Sequence, residues 1–203
     1  MVGDSWTHKI ARVCILPLVN TPVTPNHLTT LRLITGIAAC GLFAIGTTEW
    51  NLYGGFLWIL SAFLDRADGE LARVGGKSSP WGHKYDYFSD VFVTALFFIG
   101  IGIGLRNTTF WNVDLGLWTI VMGFGATAGV IAAEILAEKI DQAQKDTGDK
   151  AYAGFAGFDF DDVIYLFAPV VWLNLHPPFL IGASVGAPAF ALLTWYRFKN
   201  ALS

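Results

Sequence analysis

DRADGELARVGGKSSPWGHKYDYFSD, residues 65–90, places four aspartates, Asp65, Asp68, Asp86 and Asp90, in a chain that is otherwise apolar. Read as helix, DRADGELAR sets Asp65 and Asp68 three residues apart and so on one face, which Gly69, Ala72 and Arg73 continue. GHKYDYFSD opens a second helix, on which Gly82, Asp86 and Asp90 recur every fourth residue, again on one face. Ser78, Ser79 and Pro80 make a turn between them. Two antiparallel helices joined in this way direct four carboxylates into one space. Left unpaired, the four would repel one another, and their desolvation would be costly. Divalent cations resolve the conflict, and a site built from carboxylate oxygens suits Mg2+ or Mn2+. Gly69 and Gly82 allow a backbone or a nucleotide to approach closely, and Arg73 offers a fixed fork of donors to a phosphate.

Outward from this stretch the composition decides the fold class. Hydrophobic residues make up 54% of the 203 and charged residues 14%, against roughly 25% charged in an average soluble domain. The expected fold is all-α: a polytopic integral membrane protein with six transmembrane helices and a short N-terminal interfacial helix, forming one domain over 1–203. Residues 1–25 are the interfacial segment and 26–198 the six-helix bundle, with spans near 26–46, 52–74, 81–105, 115–136, 161–175 and 179–198. In the N-terminal segment Lys9 and Arg12 snorkel over Ile10, Val13, Ile15 and Leu16, and Pro17, Pro22 and Pro25 keep the helix from continuing. His176, Pro177 and Pro178 are expected to end the fifth span. The tryptophans fit interfacial anchoring or lipid-facing packing. Gly100, Gly102, Gly104, Gly123, Gly125 and Gly129 permit close helix contact or a dimer seam.

Six crossings put both termini on one side, together with all of the 13 basic residues except Arg106. That side is expected to be cytoplasmic, and the four aspartates lie on it. A net charge of -3 and the lack of a basic tail argue against nucleic acid as a partner. Cys14 and Cys40 form no CxxC pair or disulfide framework, and His8, His27 and His176 make no zinc pattern. The N-terminal stretch does not resemble a cleaved signal peptide.

The quoted stretch resembles the signature of the CDP-alcohol phosphotransferases, D-x-x-D-G-x-x-A-R, seven or eight residues, then G-x-x-x-D-x-x-x-D. Asp65, Asp68, Gly69, Ala72, Arg73, Gly82, Asp86 and Asp90 fill every position. TPNHLTTLR, residues 24–32, is similar to that family's entry into its first helix. The resemblance implies an enzyme that displaces CMP from a CDP-linked alcohol with an acceptor hydroxyl. By position, Asp65, Asp68 and Asp86 would hold two divalent ions, Mg2+ or Mn2+, and Asp90 would be the general base and also touch metal. Asn26, Asp65, Gly69, Ala72, Arg73 and Gly82 would bind the CDP moiety. The implied donor is CDP-diacylglycerol or another CDP-alcohol, the implied assembly a homodimer among membrane lipids, and the implied location the cytoplasmic (inner) membrane.

The acceptor is less legible. Phosphatidylglycerophosphate synthases tend to a D-P-x-x-D-K pattern, where this chain has Tyr87 and Val91. Relatives that accept inositol phosphate keep basic residues near the fourth and fifth helices, whereas the fifth here begins DFDDVIY, with Asp159, Asp161 and Asp162. That cluster repels a phosphate-bearing acceptor unless metal intervenes. Asp161 and Asp162 therefore read either as a solvated helix cap or as recognition of a neutral or cationic acceptor. Glu134, four residues before Glu138, either contacts the acceptor or pairs with a basic residue or water. His83, beside Gly82, reads as an ordinary surface histidine or as a contact to nucleotide or metal. Lys139, Lys145 and Lys150 read as loop charges. The competing functions are a transferase using a soluble CDP-polyol donor and a lipid acceptor, a divalent-cation transporter, and a structural scaffold.

Overall fold

The computed structural model describes residues 5–143 and 160–201. They form α1 (Trp6–Ile15), α2 (Pro25–Ile45), α3 (Thr48–Val74), α4 (Pro80–Gly104), α5 (Trp118–Ala143), α6 (Phe167–Trp172) and α7 (His176–Ala201). A 3₁₀ turn over Leu16–Leu18 follows α1, and a 3₁₀ run over Phe160–Leu166 leads into α6. The link from α4 to α5 holds a small hairpin, Thr109–Phe110 against Val113–Asp114. Trp111 and Asn112 take positive φ at its tip, the conformation that a tight two-residue turn demands.

Local chemistry sets the helix starts that matter for the site. Pro25 occupies the first turn of α2, where its missing N–H costs nothing, and His27 Nδ1 accepts from the Thr24 N–H at 3.2 Å. Ser79 Oγ accepts from the Gly82 N–H at 3.0 Å and so caps α4, again with proline in the first turn. Gly46 ends α2 at φ 79°, and a Cβ there would overlap the Gly104 carbonyl, so α2 and α4 meet backbone to backbone.

Among the described residues, four of the six expected spans combine the length and apolarity of a membrane-crossing helix: Pro25–Ile45, Pro80–Gly104, Trp118–Ile140 and His176–Lys199. α3 has 27 residues, about 40 Å of helix, but its last turns carry the charges of DRADGELAR. The expected fifth span is not one helix. It is the 3₁₀ run followed by a six-residue α6. His176, Pro177 and Pro178 do not stop it; they form the first turn of α7, where proline is tolerated. α5 runs on to Ala143, so the polar stretch after residue 136, which could either cover a site or extend the fourth span, begins as an extension of that helix.

The core is aromatic. Phe43, Trp58, Phe97, Phe98, Phe167 and Phe179 pack together, with Phe97 centred 4.5 Å from Phe167 and 4.6 Å from Trp58. Trp58 is therefore not lipid-facing: it is buried, and its Nε1 donates to the Ile164 carbonyl at 2.9 Å. Tyr165 donates to the Ala62 carbonyl at 3.0 Å and Trp172 Nε1 to that of Leu52 at 3.1 Å. These bonds lash the segment around α6 to α3. The glycine stripes are used inside the chain. A Cβ on Gly100 would come 2.6 Å from the Cys40 carbonyl oxygen, one on Gly102 2.6 Å from that of Thr119, and one on Gly123 2.6 Å from that of Phe98. Cys14 is exposed and Cys40 buried, both as free thiols.

α1 lies against α3. Ala11 and Ile15 face inward, and Ile15 packs with Ala67 and Leu71. Trp6, Ile10 and Val13 recur at helical spacing as an exposed apolar stripe, the form expected of an interfacial helix.

Candidate active site

The site forms where α2, α3 and α4 meet. Asp65, Asp68 and Asp86 each offer one carboxylate oxygen, and the three atoms lie within 4.8 Å of one another. Asp65 and Asp68 come from one face of α3, and Asp86 reaches them from α4, as helical spacing requires. Asp68 is buried, and Thr29 Oγ1 on α2 donates to its Oδ2 at 2.6 Å. An all-oxygen donor set, one member of which is already oriented by a neighbouring hydroxyl, fits a hard divalent cation.

Arg32 supplies positive charge to the same space. Its side chain is 1% exposed. Nη1 lies 3.0 Å from Asp65 Oδ1 and 3.4 Å from Asp86 Oδ1, while Nη2 donates to Asp90 Oδ1. Asp90 thus stands beside the three-oxygen group, bound to Arg32, and not within it. Ser61 Oγ fixes the backbone beneath by donating to the Arg32 carbonyl at 3.0 Å. Among the described residues, the buried Nε of Arg32 has no hydrogen-bond partner. The sequence alone puts Arg32 near the start of the first span, where it can reach headgroups or a polar site. A better signal was available: Asn26, Thr29 and Arg32 recur every third residue, and a charge within an apolar span is a functional candidate.

A cavity of about 200 Å³ opens beside the aspartates. Its lining brings together Asn26, Gly69, Ala72, Arg73 and Gly82 with Asp68 and Asp86. Of the residues expected to bind nucleotide, Asp65 alone stands off the lining, in the oxygen group. The two glycines make the space. A Cβ on Gly82 would lie 2.9 Å from Ser79 Oγ and 3.1 Å from Asn26 Oδ1, and one on Gly69 would lie 3.4 Å from both terminal nitrogens of Arg73. Lys77 also lines the cavity, and its Nζ donates to the carbonyls of Thr21 at 2.9 Å and Val23 at 2.8 Å. It pins the segment between α1 and α2 to the rim. His83 lines the same rim, with Nε2 3.8 Å from Glu138 Oε1.

Sequence reasoning missed Glu70. It is 1% exposed and accepts from Arg12 Nε at 2.8 Å and from Arg73 Nη2 at 2.7 Å, with His8 Nδ1 3.0 Å away. Asp162 is likewise committed. Buried, its Oδ1 accepts from Thr7 Oγ1 at 2.7 Å and from Arg66 Nη2 at 3.3 Å, so this acid ties α1 and the 3₁₀ run to α3. Glu134 is half-buried on α5, one turn before Glu138. Lys139 is exposed on the same helix. The side chain of Asp161, and Lys145, Lys150 and Asp159 altogether, lie outside the described residues.

The sequence profile of the CDP-alcohol phosphatidyltransferase family matches residues 22–195. A bifunctional IPC transferase and DIPP synthase of Rubrobacter xylanophilus is 34% identical over 87 residues, 43% of this chain and 19% of that protein. Archaetidylinositol phosphate synthase of Pyrococcus horikoshii is 32% identical over 87 residues, 43% of this chain and 45% of that one. The matched stretch thus spans less than half the length of either relative. A crystal structure of Mycobacterium tuberculosis phosphatidylinositol phosphate synthase with CDP-DAG bound is similar over 97% of this chain and 92% of its own, with a TM-score of 0.59 at 18% identity. That likeness is one of fold.

Proposed function

The chain belongs to the CDP-alcohol phosphatidyltransferase family, and on that premise we propose that it transfers a phosphatidyl group from CDP-diacylglycerol to the hydroxyl of a polar acceptor, releasing CMP. The observation that carries this reading is the cavity itself, in which Asn26, Gly69, Arg73 and Gly82 adjoin an oxygen group of Asp65, Asp68 and Asp86. The protein acts within the membrane, where the donor's acyl chains stay in lipid while its nucleotide stays in water. α3 and the composite segment at 160–172 complete a six-crossing bundle in this reading. In that six-crossing arrangement all basic residues but Arg106 fall on one side, which supports a site facing the cytoplasm at the inner membrane. The working unit is a homodimer.

Asp65, Asp68 and Asp86 would hold two divalent ions, Mg2+ or Mn2+. When bound, such ions neutralise the pyrophosphate and stabilise the charge that develops on the CMP leaving group. Thr29 fixes the rotation of Asp68. Arg73 receives a phosphate oxygen of CDP in its fork, and Gly69 beneath it leaves room for that approach. Gly82 leaves the Asn26 amide clear to face the nucleotide. Asp90 has Oδ1 taken by Arg32, which leaves Oδ2 to accept the acceptor's proton. The acceptor oxygen then forms its bond to the phosphatidyl phosphorus as the bond to CMP breaks, and CMP leaves with that electron pair.

An inositol phosphate is the acceptor to try first. By name, one of the similar proteins is an archaetidylinositol phosphate synthase and another a phosphatidylinositol phosphate synthase, and Asp162, one of the acids that would repel a phosphate, faces Arg66 instead. The test is CMP release by the purified protein with CDP-diacylglycerol, Mg2+ or Mn2+, and a panel of alcohols. Release that depends on inositol phosphate supports the full reading. Release only with a soluble CDP-polyol and a lipid acceptor reverses the donor and acceptor. No release with any pair, alongside cation uptake into vesicles, points to a transporter and overturns the proposal.

A further inference from the structure

We propose that Glu70 is the positioning residue for Arg73, holding the guanidinium ready for the nucleotide by anchoring it to the N-terminal helix α1. The inference rests on the reading of Arg73 as a phosphate contact. The signature leaves position 70 open, so nothing in the motif requires an acid there. Yet Glu70 is 1% exposed, one turn before Arg73. A carboxylate taken out of water is costly unless it is paired, and this one is paired from two elements. Oε2 accepts from Arg12 Nε on α1 at 2.8 Å. Oε1 accepts from Arg73 Nη2 at 2.7 Å and faces His8 Nδ1 of α1 at 3.0 Å. Arg73 Nη2 also comes 3.3 Å from His8 Nδ1.

Arg73 needs such a hold. Its side chain is 56% exposed, and an arginine in water samples many rotamers, all but a few of which point its fork away from a phosphate. Glu70 removes that freedom before the nucleotide arrives, so less order has to be imposed on binding. Gly69 completes the arrangement, because the guanidinium lies over the space where a Cβ would stand. Glu70 belongs neither to the oxygen group of Asp65, Asp68 and Asp86 nor to the cavity lining. Its effect on the nucleotide is therefore exerted through Arg73.

The test is a double-mutant cycle on the full-length protein in lipid nanodiscs, titrated calorimetrically with CDP in the presence of Mn2+. Glu70→Gln is expected to weaken CDP binding about tenfold. In an Arg73→Ala background the same change is expected to have an effect of less than about twofold, since the group it positions is gone. An equal loss in both backgrounds, or no loss in either, overturns the inference, because a helix-docking role alone would add to the Arg73 effect. Should Glu70→Gln fail to fold, Glu70→Asp keeps the charge and withdraws it by one methylene; about a threefold loss that vanishes without Arg73 is expected. Wild-type protein that binds no CDP would overturn the reading of the site as a whole. Normal wild-type binding with insensitive Glu70 variants would overturn this inference alone.

Discussion

The hydroxyl of Thr29 on α2 donates to Oδ2 of Asp68 on α3 over 2.6 Å, and both residues are 2% exposed. A carboxylate oriented in this way meets a cation without first losing rotational freedom. Thr29→Val keeps the volume and removes the donor. Mn2+ affinity, read by electron paramagnetic resonance of the free ion, should fall about tenfold, the low end for loss of such a supporting bond. Thr29→Ser should restore it. Unchanged affinity in the valine variant would show that Asp68 is held by other means.

Arg32→Met removes the cation from between Asp65, Asp86 and Asp90. Breaking a fully buried pair costs about 3–5 kcal/mol, but the side chains of Asp86 and Asp90 are 35% and 40% exposed, so solvent screens part of the repulsion. A loss of about 2 kcal/mol is expected. Thermal unfolding should then respond more strongly to added Mn2+ in the variant than in the wild type, because bound metal replaces the missing charge. Equal responses would mean that Arg32 and metal do not share one electrostatic role.

Asp86 and Asp90 should separate. Asp86→Asn removes an oxygen from the three-carboxylate group, so both Mn2+ binding and CMP release should be lost. Asp90→Asn should leave Mn2+ and CDP binding within about twofold and slow CMP release by roughly 10²–10⁴, as expected when a general base is removed. Full turnover in Asp90→Asn would remove its role as the base.

Gly82→Ala would place a methyl 2.9 Å from Ser79 Oγ and 3.1 Å from Asn26 Oδ1. Both neighbours are side chains and can yield, so the fold should survive. Asn26 has to turn from its present position, and CDP affinity should drop about fivefold with Mn2+ affinity unchanged. A calorimetric comparison of the two ligands checks the split.

Helical periodicity made the carboxylate part of the site legible in the sequence, and the family resemblance supplied the nucleotide-binding residues. Asp65 and Asp68 share a face, Gly82, Asp86 and Asp90 share another, and a short turn makes the two faces meet. The illegible part depends on partners distant in the chain. Arg12 and Glu70 are 58 positions apart, Arg66 and Asp162 are 96. Composition gives no means of choosing among the acids that a given arginine pairs with. Arg32 fell between these cases: its place in an apolar helix was a signal, but its three aspartate partners are set by how α2 crosses α3 and α4. The fifth span was expected as one continuous helix because VIYLFAPVVWLNL is apolar enough to suggest it, while its 3₁₀ part is bonded in place by Trp58 and Tyr165.

That broken segment constrains how the protein is made. Phe160–Trp172 is too short to cross the hydrocarbon layer as an autonomous α-helix, and it is tied to α3 by the Ile164 carbonyl, which accepts from Trp58, and by the side chains of Tyr165 and Trp172, which donate to the Ala62 and Leu52 carbonyls. In the membrane setting proposed above, those bonds to α3 favour an order of assembly in which α3 is inserted first and this segment folds onto it afterwards.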